Sequence, residues 1–152
     1  MDENTSTPFV EKVNTRYLET LVGYNTRRAA LVIIGEFMER MAVYDLRTVD
    51  FSVLSLITHN PGITSRQLCS TLGIQAPNLV NMISTLEKRD LIKRLPHPND
   101  RRAVGLHLTE AGEKMMRKAE KTAVTLELET TPRLTAEERK TLMKLLQKVY
   151  KK

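Results

Sequence analysis

Four polar side chains recur on one side of a single amphipathic stretch: Asn78, Asn81, Thr85 and Lys88. At helical spacing they lie opposite a stripe formed by Leu79, Met82, Ile83 and Leu86, so a helix here buries one side and presents amide, hydroxyl and ammonium groups on the other. Amides and hydroxyls both donate and accept hydrogen bonds, which suits base edges, and the ammonium suits phosphate. A solvated helix face has the same composition, and this stretch alone does not separate the two readings. A second group follows. Asp100, Arg101 and Arg102 come after Pro96-His97-Pro98-Asn99, a turn-rich run that places two adjacent guanidinium groups at a loop tip. Arginine on such a loop can enter a narrow minor groove, where negative potential is enhanced, and Asp100 is spaced to hold one of the pair in position. The alternative is a surface loop with a local ion pair, which adds little to stability.

The charge distribution favours the first reading. The chain carries +6 overall, and six of its basic residues fall between Lys88 and Arg102 against only Asp90 and Asp100. The segment from Glu110 to Glu138 is net acidic, with seven carboxylates against five cations. Positive charge is therefore focused around the two candidate groups, as a polyanionic partner requires, although a solvated basic surface is compatible with the total.

Several elements must position these residues. Val13, Tyr17, Leu21, Tyr24, Leu31, Ile34, Met38 and Met41 recur at spacings of three, four and seven, which predicts one long helix over 11–42. A second helix is expected from about Thr48, carrying Phe51, Leu54 and Ile57, and Asn60-Pro61-Gly62 ends it. Thr64 with Gln67 three residues on forms a capping box for a short helix to Leu72, closed by Gly73. Ile74-Gln75-Ala76-Pro77 opens the next helix, with Pro77 in the first turn where its missing N–H does no harm, and that helix runs to about Arg89. The result is a helix, a turn and a helix. Residues 91–95 and 103–108 read as two short strands around the 96–102 loop, a basic hairpin. Thr109 caps a helix that Pro132 stops. Thr135 with Glu138 caps a last helix whose Leu142, Leu145, Leu146 and Val149 form one stripe, equally suited to packing within the chain or against a second copy.

Other function classes find no support. There is no Gly-rich phosphate loop, no serine elbow and no paired metal ligand, so no catalytic residue, no cofactor and no metal is expected. His59, His97 and His107 stand apart, without a second ligand at metal-binding spacing. Cys69 is the sole cysteine, which excludes an intramolecular disulfide and leaves packing in a short helix or thiol sensing as its roles. No apolar run approaches the roughly 18 residues that a membrane helix needs. Met1 to Pro8 are acidic and polar, unlike a secretory signal, so a cytoplasmic location is expected.

The hairpin carries a family resemblance. Leu91-Ile92-Lys93-Arg94, then Pro98-Asn99-Asp100-Arg101-Arg102-Ala103-Val104-Gly105-Leu106-His107-Leu108-Thr109-Glu110-Ala111-Gly112, resembles the D-x-R wing and L-T-x-x-G strand-to-helix signature of the multiple antibiotic resistance regulator (MarR) family of winged helix-turn-helix proteins. Phe51-Ser52-Val53-Leu54, Pro61-Gly62-Ile63-Thr64 and Gln67-Leu68 add to it, and the likeness runs from about Leu31 to the C-terminus. Asp90 departs from the pattern, standing where the family usually has glycine after the recognition helix.

The resemblance implies a mainly α fold with a small β-hairpin wing. Its expected parts are an N-terminal arm and dimerisation helix over 1–45, a winged helix-turn-helix DNA-binding lobe over 46–109, and C-terminal helices over 110–152 that complete the dimerisation region. It implies a homodimer on a pseudo-palindromic operator in double-stranded DNA. Asp100 and Arg102 would take the wing's orienting and minor-groove roles beside Arg101. Thr64, Ser65 and Arg66, with Gln75, Ala76, Pro77, Asn78, Asn81, Thr85 and Lys88, would take backbone and base contacts.

The resemblance further implies a small lipophilic anion, an aromatic acid or its thioester, bound between the dimerising helices and the DNA-binding lobe. Met38 and Met41 at one end of that region and Met115 with Met116 at the other are polarisable enough to line an adaptable pocket, and Tyr44 and Phe51 are near in sequence. Arg40 is the expected partner of the carboxylate. Filling irregular gaps in the core is the alternative role of the methionines. A repressor released by such a ligand is the expected function; an activator, or a winged-helix module that binds protein or RNA, is the alternative.

Overall fold

In the computed structural model, residues 8–152 are described; Met1 to Thr7, most of the polar leader noted above, lie outside them. The helical spacing of the N-terminal region yields two helices, not one: α1 (Arg16–Glu19) and α2 (Val22–Met41). Local side chains make the break. The Thr20 hydroxyl donates to the Tyr17 carbonyl at 2.7 Å, and the Asn25 amide donates to the carbonyls of Glu19 and Leu21, both at 2.8 Å. Short polar side chains that bond the backbone compete with the helix ladder in this way. A 3₁₀ turn (Ala42–Tyr44) follows α2 and ends at Asp45, whose φ of 51° is left-handed.

The central elements follow the expected boundaries closely: α3 (Thr48–His59), α4 (Ser65–Leu72) and α5 (Ala76–Lys88). Thr64 and Gln67 form the capping box of α4, and Gly73 closes it at φ 64°. Strands β1 (Ile92–Pro96) and β2 (Val104–Leu108) pair antiparallel with Ile92 opposite Leu108, each starting one residue later than expected. Ile63 adds a bridge to Leu106, so the loop before α4 stitches the helical pair to the hairpin. That close approach explains Gly105, because a Cβ there would meet the Gly62 backbone at 3.0 Å.

Helix α6 (Glu110–Glu129) begins where Thr109 accepts a hydrogen bond from the Gly112 amide at 3.0 Å. The same hydroxyl donates to the Asp90 carbonyl at 2.5 Å. Asp90 occupies the glycine-favouring region at φ 56°, a conformation Asp tolerates better than most residues, so the turn after α5 keeps its course without glycine. Gly112 has no such latitude: a side chain there would overlap the Leu91 carbonyl.

Met41, Val53, Leu54, Ile57, Leu68, Leu79, Ile83, Leu86, Leu106, Met116 and Ala119 are wholly buried, so the core sits where α3, α5, the hairpin and α6 converge. Helix α7 (Ala136–Tyr150) starts at the expected Thr135–Glu138 box but buries none of its residues. Leu142, Leu145, Leu146 and Val149 are all exposed, and so are Val13, Tyr17, Leu21, Leu31, Ile34 and Met38 of the N-terminal stripe. Among the described residues of one chain, the α7 stripe and the N-terminal stripe apart from Tyr24 and Met41 lack a partner. No helix among the described residues is long and apolar enough to cross a membrane.

Candidate nucleic-acid interface

Helix α5 is held by its apolar stripe and presents the rest. Leu79, Ile83 and Leu86 are buried and Met82 is half-buried, whereas Asn78, Asn81, Thr85 and Lys88 are exposed on the other side. The N-terminal turn is equally open: Gln75 is the N-cap, Ala76 and Pro77 follow, and all three are exposed. Gln75 makes no side-chain cap, Pro77 has no N–H and the Asn78 amide already bonds the Gln75 carbonyl at 3.1 Å, so of the first turn the Ala76 amide is the donor left for an outside acceptor. The Thr85 hydroxyl donates to the Asn81 carbonyl at 3.0 Å, which fixes its rotamer and leaves its lone pairs outward. In α4, Thr64 is engaged in its cap, Ser65 is half-buried and Arg66 is exposed.

At the hairpin tip Asp100, Arg101 and Arg102 are all exposed. Asp100 orients the loop differently from the sequence expectation: its carboxylate accepts from the Arg102 backbone amide at 2.9 Å and forms no ion pair with either guanidinium. A carboxylate that bonds the amide two residues on makes an Asx turn, so the backbone is fixed while the cation stays available. The Ala103 amide to the Asp100 carbonyl at 3.1 Å and the His97 amide to the Ala103 carbonyl at 3.1 Å close the loop.

The basic segment divides into two kinds of cation. Arg94 pairs with Glu87 through contacts of 2.6 and 3.2 Å, and this hydrogen bond raises the Arg94 pKa above its usual value. Arg89 donates to the carbonyls of Tyr44 and Asp45. Lys88, Lys93, Arg101 and Arg102 have no ion-pair partner among the described residues. The partners of Arg89 lie over forty positions away, and nothing in the local sequence announces them.

Of the six expected ligand residues, Met41, Tyr44, Phe51 and Met115 share the core, and Met38 and Arg40 lie outside it. Met41 is wholly buried, Met115 is half-buried against the same core, and the Phe51 ring meets Phe37 edge-on at 5.1 Å. The Tyr44 hydroxyl shares a hydrogen bond with Thr122 at 2.9 Å. Arg40 pairs with Glu129 at the end of α6 and does not line the cleft described next. Met38 alone of the six lines the cleft of ≈ 560 Å³ between α2, the start of α3 and α5, with Arg47, Thr48, Val49, Asn78, Asn81, Met82 and Thr85. The cation there is Arg47, which sequence reasoning missed. Arg47 is held by the buried Asp50 through contacts of 3.1 and 3.3 Å, and this hydrogen bonding, reinforced by charge, raises its pKa.

A two-helix unit backed by a buried stripe, followed by a hairpin with cations at its tip, defines a winged helix-turn-helix protein. The MarR family model matches residues 46–104. The multiple antibiotic resistance protein MarR of Escherichia coli is 33% identical over 112 residues, which span 73% of this chain and 78% of that protein. Among solved structures, the transcriptional repressor CouR bound to a 23-mer DNA duplex is 34% identical with a TM-score of 0.85, covering 91% of this chain and 98% of that one. CouR bound to p-coumaroyl-CoA is 32% identical with a TM-score of 0.81, covering 93% of this chain and 99% of that one. The chain belongs to the MarR family and is a transcriptional regulator.

Proposed function

We propose that the protein is a cytoplasmic, homodimeric repressor that reads a pseudo-palindromic operator and is released by a small aromatic carboxylate or its thioester. The observation that carries this reading is the exposed face of α5, with Asn78, Asn81, Thr85 and Lys88 beside a wing whose Arg101 and Arg102 have no ion-pair partner among the described residues. α5 enters the major groove, its first turn and the α4 N-terminus contact the backbone, and Arg102 enters the adjacent minor groove. CouR on a DNA duplex supports this placement through the shared fold. The exposed stripes of α2 and α7 supply the dimer contact, and two-fold symmetry then sets half-sites about one helical turn apart. No enzymatic step enters this function.

The ligand lies in the cleft that holds Met38. Val49 and Met82 give an apolar wall and Arg47 faces an anion, in the combination that an aromatic carboxylate needs. CouR bound to p-coumaroyl-CoA makes an acyl thioester the first compound class to test. Asn78, Asn81 and Thr85 line this cleft and also form the reading face, so an occupant and a base pair exclude each other. A tenfold release needs only about 1.4 kcal/mol of such preference.

Selection of bound sequences from a random duplex pool tests the first half: a palindromic consensus is expected, and footprints over single half-sites overturn it. For the second half, an aromatic carboxylate or its thioester should raise the melting temperature and dissociate the selected duplex at the same concentrations. Arg47→Ala should lose both effects and Arg40→Ala should keep both. The reverse pattern moves the anion site to Arg40.

A further inference from the structure

Arg89 is the C-cap of α5, and its side chain runs back across the lobe toward the end of α2. One guanidinium nitrogen donates to the Asp45 carbonyl at 2.7 Å and the other to the Tyr44 carbonyl at 2.9 Å. Both carbonyls end the 3₁₀ turn, where no onward residue of that turn supplies a donor and the partial charge is negative. A planar, forked cation satisfies two adjacent carbonyls together, which the single ammonium of lysine does not reproduce. The gripped turn and the end of α2 just before it are each fixed to α6. Tyr44 shares its hydroxyl bond with Thr122, and Arg40 pairs with Glu129. One run of directional contacts therefore joins α6, the corner after α2 and the end of α5.

Apart from the Glu87–Arg94 pair to the wing, the remaining hold on α5 is of another kind. Leu79, Ile83 and Leu86 seat the helix through apolar burial, which is strong but non-directional. Charge-assisted hydrogen bonds at the helix end add the angular restraint that burial lacks.

We infer that Arg89 is a positioning residue that fixes the angle of the reading helix relative to the corner that follows α2, and so sets the half-site spacing that the dimer accepts. The inference rests on the palindrome-reading function proposed above. Inserting or deleting one base pair at the palindrome centre rotates one half-site by roughly 34° and moves it about 3.4 Å. A dimer whose reading helices are held at this end discriminates sharply against that change, and one whose helices pivot there tolerates it.

The test uses the full-length protein and the palindrome it selects, with the centre unaltered, one base pair longer or one shorter. Wild type should prefer the unaltered spacing. Arg89→Ala should bind that duplex about tenfold more weakly, through lost pre-organisation, while its affinity for the altered duplexes changes less than about twofold. Arg89→Lys should fall between, and affinity for an isolated half-site should stay within about twofold of wild type for both variants. If Arg89→Ala does not fold, Arg89→Lys decides on the same narrowing of preference. A spacing preference equal to wild type in the folded variants, with or without a uniform loss of affinity, overturns the role of Arg89. A wild type indifferent to spacing is a different failure, because it removes the palindrome reading itself.

Discussion

Helices α5 and α7 carry apolar stripes of the same kind and meet opposite fates. In α5, Leu79, Ile83 and Leu86 are buried in the chain's own core, whereas Leu142, Leu145, Leu146 and Val149 of α7 are exposed along with the stripe of α2. The lobe between Leu46 and Leu126 contains every buried core residue except Met41, just before it, so it is complete in a single chain. The two ends are not, since contiguous apolar faces left in water mark an interaction surface. Amphipathic spacing therefore identifies which face of a helix leaves water and says nothing about whose atoms will cover it. Folding of the lobe and pairing of the chains should be separable quantities.

The largest expected effect tests that separation. Leu54→Ala opens a cavity in the lobe and should lower stability by about 2 to 5 kcal/mol in chemical denaturation. Leu145→Asp should instead halve the mass seen in sedimentation while helix content over the lobe persists. A Leu145→Asp protein that unfolds, or one that remains dimeric, would merge the two regions again. Smaller, and confined to the lobe's outer surface, is Arg102→Ala: specific binding should weaken by about 1 to 3 kcal/mol with the melting temperature unchanged. Equal affinity of variant and wild type on the selected duplex at matched salt would remove the wing from the reading surface. The smallest effect belongs to Glu87→Gln, which frees Arg94; because the pair is partly exposed, stability should change by only about 0.2 to 1 kcal/mol. A loss beyond that range would show that the pair braces α5 against the wing.

The lobe was legible in the sequence because its signals are local. The Thr64–Gln67 box, Pro77 in a first turn, the spacing of the α5 stripe and Thr109 each act within four residues, and each element starts where they place it; the Thr135–Glu138 box does the same for α7 outside the lobe. Periodicity failed at Thr20 and Leu21, since side-chain bonds to the backbone interrupt a helix without disturbing the apolar spacing. The bridge from Ile63 to Leu106 was invisible for another reason: a single pairing leaves no alternation to detect. Around the candidate site, exposure of the α5 strip followed from the wheel. The occupations of Arg40, Arg89 and Arg94 did not, since a cation's sequence neighbours do not reveal which distant carbonyl or carboxylate the fold will bring to it, whereas the pairing of Arg47 with Asp50 three residues on is a local signal that went unread.

The partition of the basic segment has a consequence for the ion atmosphere of the duplex. Six cations lie between Lys88 and Arg102, yet Arg89 and Arg94 already serve the protein's own carbonyls and a carboxylate. Only the other four are available to displace condensed counterions from phosphates, which makes eight in a dimer. If each neutralises one phosphate, this segment contributes a slope of log affinity against log salt of about −7, whereas counting all twelve cations would give about −11. Titrating the selected duplex over a range of potassium concentrations distinguishes the two. The wing and the reading helix thus release fewer ions than their composition suggests, because part of their positive charge is structural mortar.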